Sequence, residues 1–341
     1  MAHTLKFGII GTGAIAGQHA AAIRESKNSE LVAVCSSTPV RAEQAKHKFG
    51  VSTYFDVDQF LAYPELDVVC ICTASGHHME VVIKAAQAGK HVLVEKPIEI
   101  NLSRAEEMIK ACHENKVKLG VVFQNRFNEG YLKLKAAVEK GEMGKLLMGN
   151  AYIKWFRDEA YYQSSHWKGT LKGDGGGAFI NQGIHTIDLL LDIMGEVKDV
   201  YGQVKTALYD IEGEDLGNAL INFKNGAMGN ITAGTSLYPG YPERLEVYGT
   251  EGSVILEAGK VVAWNVKGQE QKAVKEESKE SSGAADPMAI GHRLHLLQIE
   301  DMISAILENK EPLVSGEKAC KSLAVIRGIY ESSKKGIKVK V

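Results

Sequence analysis

The run LKFGIIGTGAIAG, residues 5–17, constrains this chain more than any other stretch. Leu5, Phe7, Ile9 and Ile10 are apolar enough for a strand covered on both faces, and Gly11 and Gly13 come at once after them, allowing a tight turn and close approach of the backbone to an anion. A helix opening at Ala14 and Ile15 then aims its first N–H groups and positive dipole end at the same point, which is how a pyrophosphate is held. Ala16 stands where a third glycine is usual. Glycines of this kind also serve ordinary strand-to-helix turns, so the meaning of the run depends on the elements downstream.

Those elements are strand and helix in alternation. Apolar strands recur at 31–35, 68–73 (VVCICT) and 91–94, with 118–123 closing the set as a sixth strand. Helical segments lie at 39–49, 79–88 and up to Asn115, the last opened by Ser103 and Glu106 as a capping box. Short links between alternating elements imply parallel strands, right-handed crossovers and a doubly wound sheet, with a ligand bound beyond the carboxyl ends of the strands. From about Phe123 the pattern changes to strands rich in Val, Ile, Tyr and Thr between glycine turns, at 149–155, 200–206, 219–223, 227–235 and 245–248. Sequential strands with short links read as a mainly antiparallel sheet. The fold class is therefore α/β, with a Rossmann domain over 1–122 and an α+β domain over 123–341, a division that a chain of 341 residues favours. Residues 267–286 are polar and biased and read as a surface loop or mobile segment, and two helices, near 291–309 and 317–334, finish the chain.

Forty basic against forty-two acidic residues leave a formal charge of −2, which gives no reason to expect nucleic acid or an anionic membrane as partner. The opening MAHTLKFGII has no basic region, long apolar segment or small-residue cleavage site, and no later apolar run reaches about 18 residues, so a cytoplasmic location is expected. The cysteines, Cys35, Cys70, Cys72, Cys112 and Cys320, are odd in number and set in apolar surroundings, so buried thiols are expected, with no disulfide framework and no metal site.

Two further stretches carry chemistry. At the end of the second strand an NAD enzyme usually places a carboxylate on the ribose 2′-hydroxyl, but here the residues are Cys35-Ser36-Ser37-Thr38. Hydroxyls at Ser36 and Ser37 with Arg41 nearby can bond a 2′-phosphate, which favours NADP over NAD, although Ser37 or Thr38 capping the next helix beside a solvated Arg41 leaves NAD open. The segment 179–194 is a helix apolar nearly all round, yet Asn181, His185 and Asp188 fall at i, i+4 and i+7. Such a stripe either faces a cleft or is a core histidine bonded to Asp188.

The motifs Thr73-Ala74-Ser75-Gly76-His77-His78 and AGKHVLVEKPI (88–98) resemble the glucose-fructose oxidoreductase, inositol dehydrogenase and rhizopine-catabolism (Gfo/Idh/MocA) family, whose Glu-Lys-Pro signature is matched by Glu95-Lys96-Pro97. The resemblance continues through Gln124-Asn125-Arg126-Phe127-Asn128, Trp155 to Arg157, GDGGGAFINQGIHTIDLL (173–190) and DIEGED (210–215), and so covers nearly the whole chain. The later segments look most like UDP-N-acetylglucosaminuronate 3-dehydrogenases, from which the chain departs at Glu129, where proline is common, and at Ser36, where an acidic residue is expected.

The resemblance implies an NAD(P)-dependent oxidoreductase passing a hydride between a secondary alcohol of a sugar, a nucleotide sugar or sugar acid, and the nicotinamide. An inositol or simple pyranose dehydrogenase, or a non-catalytic regulator sensing dinucleotide or sugar, are the alternatives. It also implies an open C-terminal sheet whose free face joins subunits into a homodimer or homotetramer. Cofactor contacts are then expected from Thr73, Ser75, His78, Glu95, Lys96 and Gln124, besides the glycine turn and the second-strand end. The family's D/N-x-x-x-H pattern falls on Asn181 and His185. Alcohol oxidation requires a base for the hydroxyl proton, and His185 and Lys96 are the two candidates; His185 is read as the base, with Lys96 binding the developing alkoxide or relaying the proton, Asn181 orienting the hydroxyl and Asp188 holding the histidine tautomer. Arg126, Arg157 and Trp167 are candidate substrate contacts, the arginines because a guanidinium matches a sugar carboxylate, and Tyr161, Tyr162 and Lys172 lie in the same loop region.

Overall fold

The computed structural model describes residues 4–269 and 291–341. Its described residues form two compact units, one running to Gln124 and including Gly291–Cys320, the other made of the remainder.

The first unit is a six-stranded sheet in the order β3-β2-β1-β4-β5-β6, every pairing parallel. In chain order it runs β1 (Leu5–Ile10), α1 (Ala14–Glu25), β2 (Ser29–Cys35), α2 (Pro39–Phe49), β3 (Ser52–Tyr54), α3 (Val57–Leu61), β4 (Val68–Ile71), α4 (His78–Gln87), β5 (His91–Val94), α5 (Leu102–Glu114) and β6 (Leu119–Val121). The central β1 pairs Ile9 with Val34 on one side and Cys70 on the other, and Phe7 and Ile9 are fully buried, as a strand covered on both faces requires. This is the Rossmann sheet expected from the alternation. The edge strand β3 is not foreseen by the pattern, because STY carries no apolar run to mark it. The cap of α5 also differs: Asn101 is the N-cap and accepts from Ser103 N at 3.0 Å, so Ser103 lies inside the helix and the expected capping box does not form.

The second unit holds α6 (Glu129–Glu139), β7 (Leu146–Lys154), α7 (Glu159–Gln163), a π-helical turn (Ala178–Gly183), α8 (Ile184–Met194), β8 (Val197–Lys205), β9 (Leu216–Phe223), β10 (Met228–Gly234), β11 (Arg244–Gly249), β12 (Gly252–Glu257) and β13 (Lys260–Val266). Its sheet, in the order β13-β12-β11-β7-β10-β9-β8-β14, is antiparallel except where β10 pairs β7; β14 is Val339–Lys340. The hairpin β12–β13 is an addition to the strands expected. Most of the segment read as a surface loop, 270–286, lies outside the described residues.

The last helices are α9 (Arg293–Leu307) and α10 (Gly316–Lys335). A single division at residue 122 needs correction, because α9 packs on α1 and puts Ile299, Met302 and Ile303 into the same core as Phe7, Ile9, Ala20 and Ile23. Gln298 Nε2 also donates to Val121 O at 2.6 Å, and Val121 N to Val314 O at 3.0 Å. A helix remote in sequence thereby closes one face of the Rossmann sheet. Met302→Ala is expected to lower the unfolding free energy by about 2–5 kcal/mol in urea denaturation, the cost of a cavity in a close-packed core.

Candidate active site

At the end of β1, Ile10 O accepts from Cys72 N (2.7 Å) and Gly11 N donates to Cys35 O (2.9 Å), tying the turn to both neighbouring strands. Gly11 has φ +94°, and a Cβ there would stand 2.5 Å from the Cys72 carbonyl oxygen, so the turn requires glycine. Gly13, the N-cap of α1, has only open space where a Cβ would be, and the N–H groups of Ala14 and Ile15 open the helix beside it. Thr73 Oγ1, past β4, and Gln124 Oε1, past β6, are buried without a hydrogen-bond partner among the described residues. An open glycine turn, a helix N-terminus and orphaned polar atoms at strand ends fit a bound dinucleotide.

The end of β2 divides its polar groups. Ser36 is buried with its Oγ 2.8 Å from Thr12 Oγ1, so it faces the glycine turn. Ser37 accepts from Arg41 Nη1 at 3.2 Å in an exposed pair, and Thr38 caps α2 by accepting from Arg41 N. Ser75 is buried and opens a short 3₁₀ turn before α4. His78 is fully buried behind this region: its Nδ1 lies 3.0 Å from Pro97 O and 3.1 Å from Ile98 O, and its Nε2 3.2 Å from Thr73 O. Burial pushes its pKa down, and its ring braces the cis Lys96–Pro97 turn against the end of β4.

Glu95 comes directly after β5 and is buried, its Oε1 2.8 Å from His19 Nε2 and its Oε2 accepting from Lys96 N at 3.2 Å. Burial opposes its charge, but His19 outweighs burial and holds the carboxyl down to about 2. Lys96 is half-buried at the carboxyl end of the strand.

In the second unit the polar stripe divides. Asn181 lies in the π-helical turn and His185 in the first turn of α8, both half-buried, whereas Asp188 is fully buried. Three residues advance an α-helix by about 300°, so Asp188 is rotated about 60° from His185 and faces another element. There it takes Arg126 in a bidentate pair (Nε to Oδ2 2.6 Å, Nη2 to Oδ1 2.9 Å) and accepts from Ser322 Oγ at 2.9 Å. Arg126 Nη1 donates to Asp192 Oδ1 at 2.8 Å, and Asp192 also meets Tyr131 and Lys135. Burial disfavours the guanidinium charge, yet Asp188 and Asp192 raise its pKa above the usual value. The geometry engages Arg126 inside the unit, with Asp188 and Asp192, and engages Asp188 with Arg126 and Ser322.

Asn181 is held from behind. Its Nδ2 donates to Asp174 Oδ1 at 2.6 Å, while Asp174 Oδ2 accepts from Gly169 N at 2.9 Å. Arg157 is buried, its guanidinium 4.9 Å from the Trp155 ring and 5.6 Å from the Tyr161 ring, with Nη1 donating to Phe156 O. Tyr161 OH accepts from Gln182 Nε2 (3.1 Å), and Tyr162 OH lies 2.7 Å from Thr235 Oγ1. Trp167 is half-buried, and Lys172 is exposed. Lys168, which carries no sequence signal of its own, lies 4.0 Å over the Tyr161 ring, with its pKa lowered by burial against the pull of Asp174.

Residues 5–123 match the oxidoreductase family with an NAD-binding Rossmann fold, and residues 131–255 match the GFO/IDH/MocA C-terminal domain. Myo-inositol 2-dehydrogenase of Thermotoga maritima is 31% identical over 73% of this chain and 74% of its own. The chain belongs to the Gfo/Idh/MocA family. Other similar proteins are the scyllo-inositol 2-dehydrogenase (NAD(+)) of Bacillus subtilis, 28% identical over 100% of this chain and 97% of its own, and the WlbA dehydrogenase of Bordetella pertussis. The latter, solved in complex with NADH and UDP-GlcNAcA, is 30% identical with a TM-score of 0.89, and the match covers 99% of both chains. As a Gfo/Idh/MocA protein the chain is an NAD-binding dehydrogenase acting on CH–OH groups.

Several residues that shape this Gfo/Idh/MocA site are absent from the candidates read in the sequence. Glu214 accepts from Gly177 N and Phe179 N, each at 2.8 Å, and from Tyr330 OH at 2.9 Å, and so anchors the entry to the π-helical turn. A Cβ at Gly177 would overlap the Glu214 carbonyl, so this approach also needs glycine. Asp174 had a sequence signal, an acid alone in a glycine run. His19 had one too: with Ala16, Ala20 and Ile23 it sits on the buried face of α1.

The pairing predicts a stability effect. Asp188→Ala is expected to cost about 3–5 kcal/mol in urea denaturation, because Arg126 stays buried without its bidentate partner. The double variant Arg126→Leu with Asp188→Leu is expected to lose less than the single one.

Proposed function

We propose that this protein oxidises a secondary alcohol of a sugar, with a nucleotide-linked sugar acid as the leading substrate class. The observation that carries the reading is the open glycine cradle at Gly13, past β1, at the same end of one parallel sheet as Lys96, which stands just past β5. The nicotinamide, when bound, takes or returns the hydride. His185 accepts the hydroxyl proton, Lys96 stabilises the alkoxide by its charge, and Asn181, fixed by Asp174, orients the hydroxyl. Support for the nucleotide-sugar class is the 30% identity over 99% of the chain with a dehydrogenase whose complex holds UDP-GlcNAcA. Support also comes from the Arg157 to Lys172 loop, where cations and aromatic rings stand together beside a cleft of about 560 Å³ lined by Tyr162, His166, Lys168, Tyr209 and Glu212. The second reading, an inositol dehydrogenase, is favoured by the 31% identity to the Thermotoga enzyme. The finer preference for NADP rests on the exposed Ser37–Arg41 pair and the missing carboxylate at the end of β2.

Nicotinamide absorbance, recorded on mixing stoichiometric protein with NAD or NADP and a panel of UDP-sugar acids, inositols and free sugars, tests all of this. Reduction with a UDP-sugar acid supports the leading class, and reduction with inositols alone transfers the assignment to the second. His185→Ala and Lys96→Ala are each expected to lower kcat about 10²- to 10⁴-fold with the active substrate. Near-normal turnover in both would remove them from the chemistry.

We assign the outer face of the second unit's sheet to subunit contact. Met148, Met228, Leu220 and Tyr201 project from one face of four adjacent strands, β7, β10, β9 and β8, and are 43%, 55%, 58% and 39% exposed. Leu220→Lys with Met228→Lys is expected to convert a homodimer or homotetramer into a lighter species in sedimentation velocity. An unchanged mass would place the contact elsewhere.

A further inference from the structure

Behind the Glu-Lys-Pro turn lies a cluster that the hydride and proton transfers do not use. His19 on α1, Glu95 after β5 and His295 on α9 are 1%, 8% and 3% exposed, and one ligating atom from each lies within 4.8 Å of the others. The His19 and His295 rings meet edge to face, with centroids 5.4 Å apart. His19 Nδ1 and both ring nitrogens of His295 have no hydrogen-bond partner among the described residues. Leaving such nitrogens dry is costly, and two buried histidines beside one carboxylate are far from what plain packing selects.

We propose that His19 is a positioning residue for Lys96: as a buried cation it fixes the Glu95 carboxylate, and His295, kept neutral, fixes the His19 ring. This rests on the reading of Lys96 as a group that acts on the substrate hydroxyl. The contacts run in one line, from the His295 ring to the His19 ring, from His19 Nε2 to Glu95 Oε1, and from Glu95 Oε2 to Lys96 N. Lys96 adds its charge to the forces that hold Glu95 ionised.

The charges are assigned from every group that faces the pair. Against His19 stand Cys70 of β4, Cys72 just after it, Glu95 and His295; against His295 stand His19, Glu95 and, on the same side, His292. Burial opposes a proton on His19, and its neighbours reverse that: Cys72 and Cys70 where ionised, and the Glu95 carboxylate bonded to Nε2, raise its pKa well above the ordinary value. Burial pushes the Cys72 thiol up to about 11, so at neutral pH Glu95 is the anion that retains the proton on His19. His295 is driven down to about 4 by burial and by the adjacent His19 charge. A charged ring packed edge to face on a neutral one is a stable arrangement, whereas two charged rings would repel.

Three measurements on the whole protein test the assignment. Histidine side-chain NMR of the free enzyme is expected to show His19 protonated and His295 neutral at pH 7.5, with His19 losing its proton in Glu95→Gln. Amine-directed labelling of Lys96, read out by peptide mapping, is expected to rise several-fold in His19→Gln, since the carboxylate beside the ammonium is no longer held charged. In turnover, His19→Gln is expected to lower kcat on the order of 10- to 100-fold, with the cofactor Kd within about twofold of the original.

The sign of the pH effect is specific. Without His19, burial dominates at Glu95, its pKa rises, and it takes up a proton as pH falls, so kcat of the variant falls further towards acid pH than the His185 base alone makes the original enzyme fall, and it recovers in part at alkaline pH. A neutral His19 in the free enzyme overturns the proposal, as does an unchanged kcat or an equal loss at every pH in a folded variant. So does one equivalent of a transition metal retained by the purified protein and lost in His295→Gln, which would make the cluster a metal centre. The NMR and labelling arms need no substrate, so they decide the proposal even if no sugar on the panel is oxidised and the sugar reading fails.

Discussion

An ion withdrawn from water costs several kcal/mol unless a counter-ion and hydrogen bonds meet it at contact distance, and this requirement fixes the chemical elements of both units. In the first, Glu95 meets His19, joining the end of β5 to α1. In the second, Arg126 meets Asp188 and Asp192, joining the residues before α6 to α8. Neither partner can drift without leaving the other buried and alone. Residues beside them in the chain inherit that placement, Lys96 directly after Glu95 and His185 one turn before Asp188.

The same requirement explains the local backbone around the π-helical turn. Glu212, Glu214 and Asp215 each accept backbone N–H groups, from Leu171, from Gly177 and Phe179, and from Ala207, Leu208 and Tyr209 respectively. Three acids of one short segment thus pin three other segments of the unit. Irregular backbone leaves donors unbonded, and side-chain carboxylates supply the acceptors that a regular helix would have provided. Burial raises the Glu214 pKa against those hydrogen bonds, so the anchor is strained electrostatically while it is satisfied geometrically.

The range of each interaction decides how much of this was legible. The glycine turn, the strand-helix alternation and the antiparallel second sheet announce themselves through local period and turn chemistry, and the matching elements stand within a few residues of where the pattern puts them. Strand β3 has three residues and no apolar run, so periodicity has nothing to register. Helix α9 reads clearly as a helix, but nothing within it says that its apolar face returns to the first core. The stripe Asn181, His185, Asp188 was visible as polar positions in an apolar helix, yet its division was not, because a π-helical turn and a distant arginine decide which face each side chain takes. Arg126 carries the residue type that recognises a sugar acid and Asp188 the type that orients a histidine, and only their mutual distance shows that they bond each other.

Within the first unit, packing contacts and hydrogen bonds run from the glycine turn to Lys96. Gly11 packs on the Cys72 carbonyl, Ile10 O accepts from Cys72 N, Thr73 O meets His78, and His78 meets Pro97 O next to Lys96. The glycine turn after β1 and Lys96 after β5 are therefore tied to the same end of one sheet through its neighbouring strands. The Arg157 to Lys172 loop of the second unit, which carries cations and aromatic rings, is pinned at Gly169 and Leu171 but exposed along much of its length. Side chains on an exposed loop can vary at little cost in stability, whereas the glycine turn and the buried contacts behind Lys96 cannot, and the family holds dehydrogenases named for inositols and one solved with a nucleotide sugar acid.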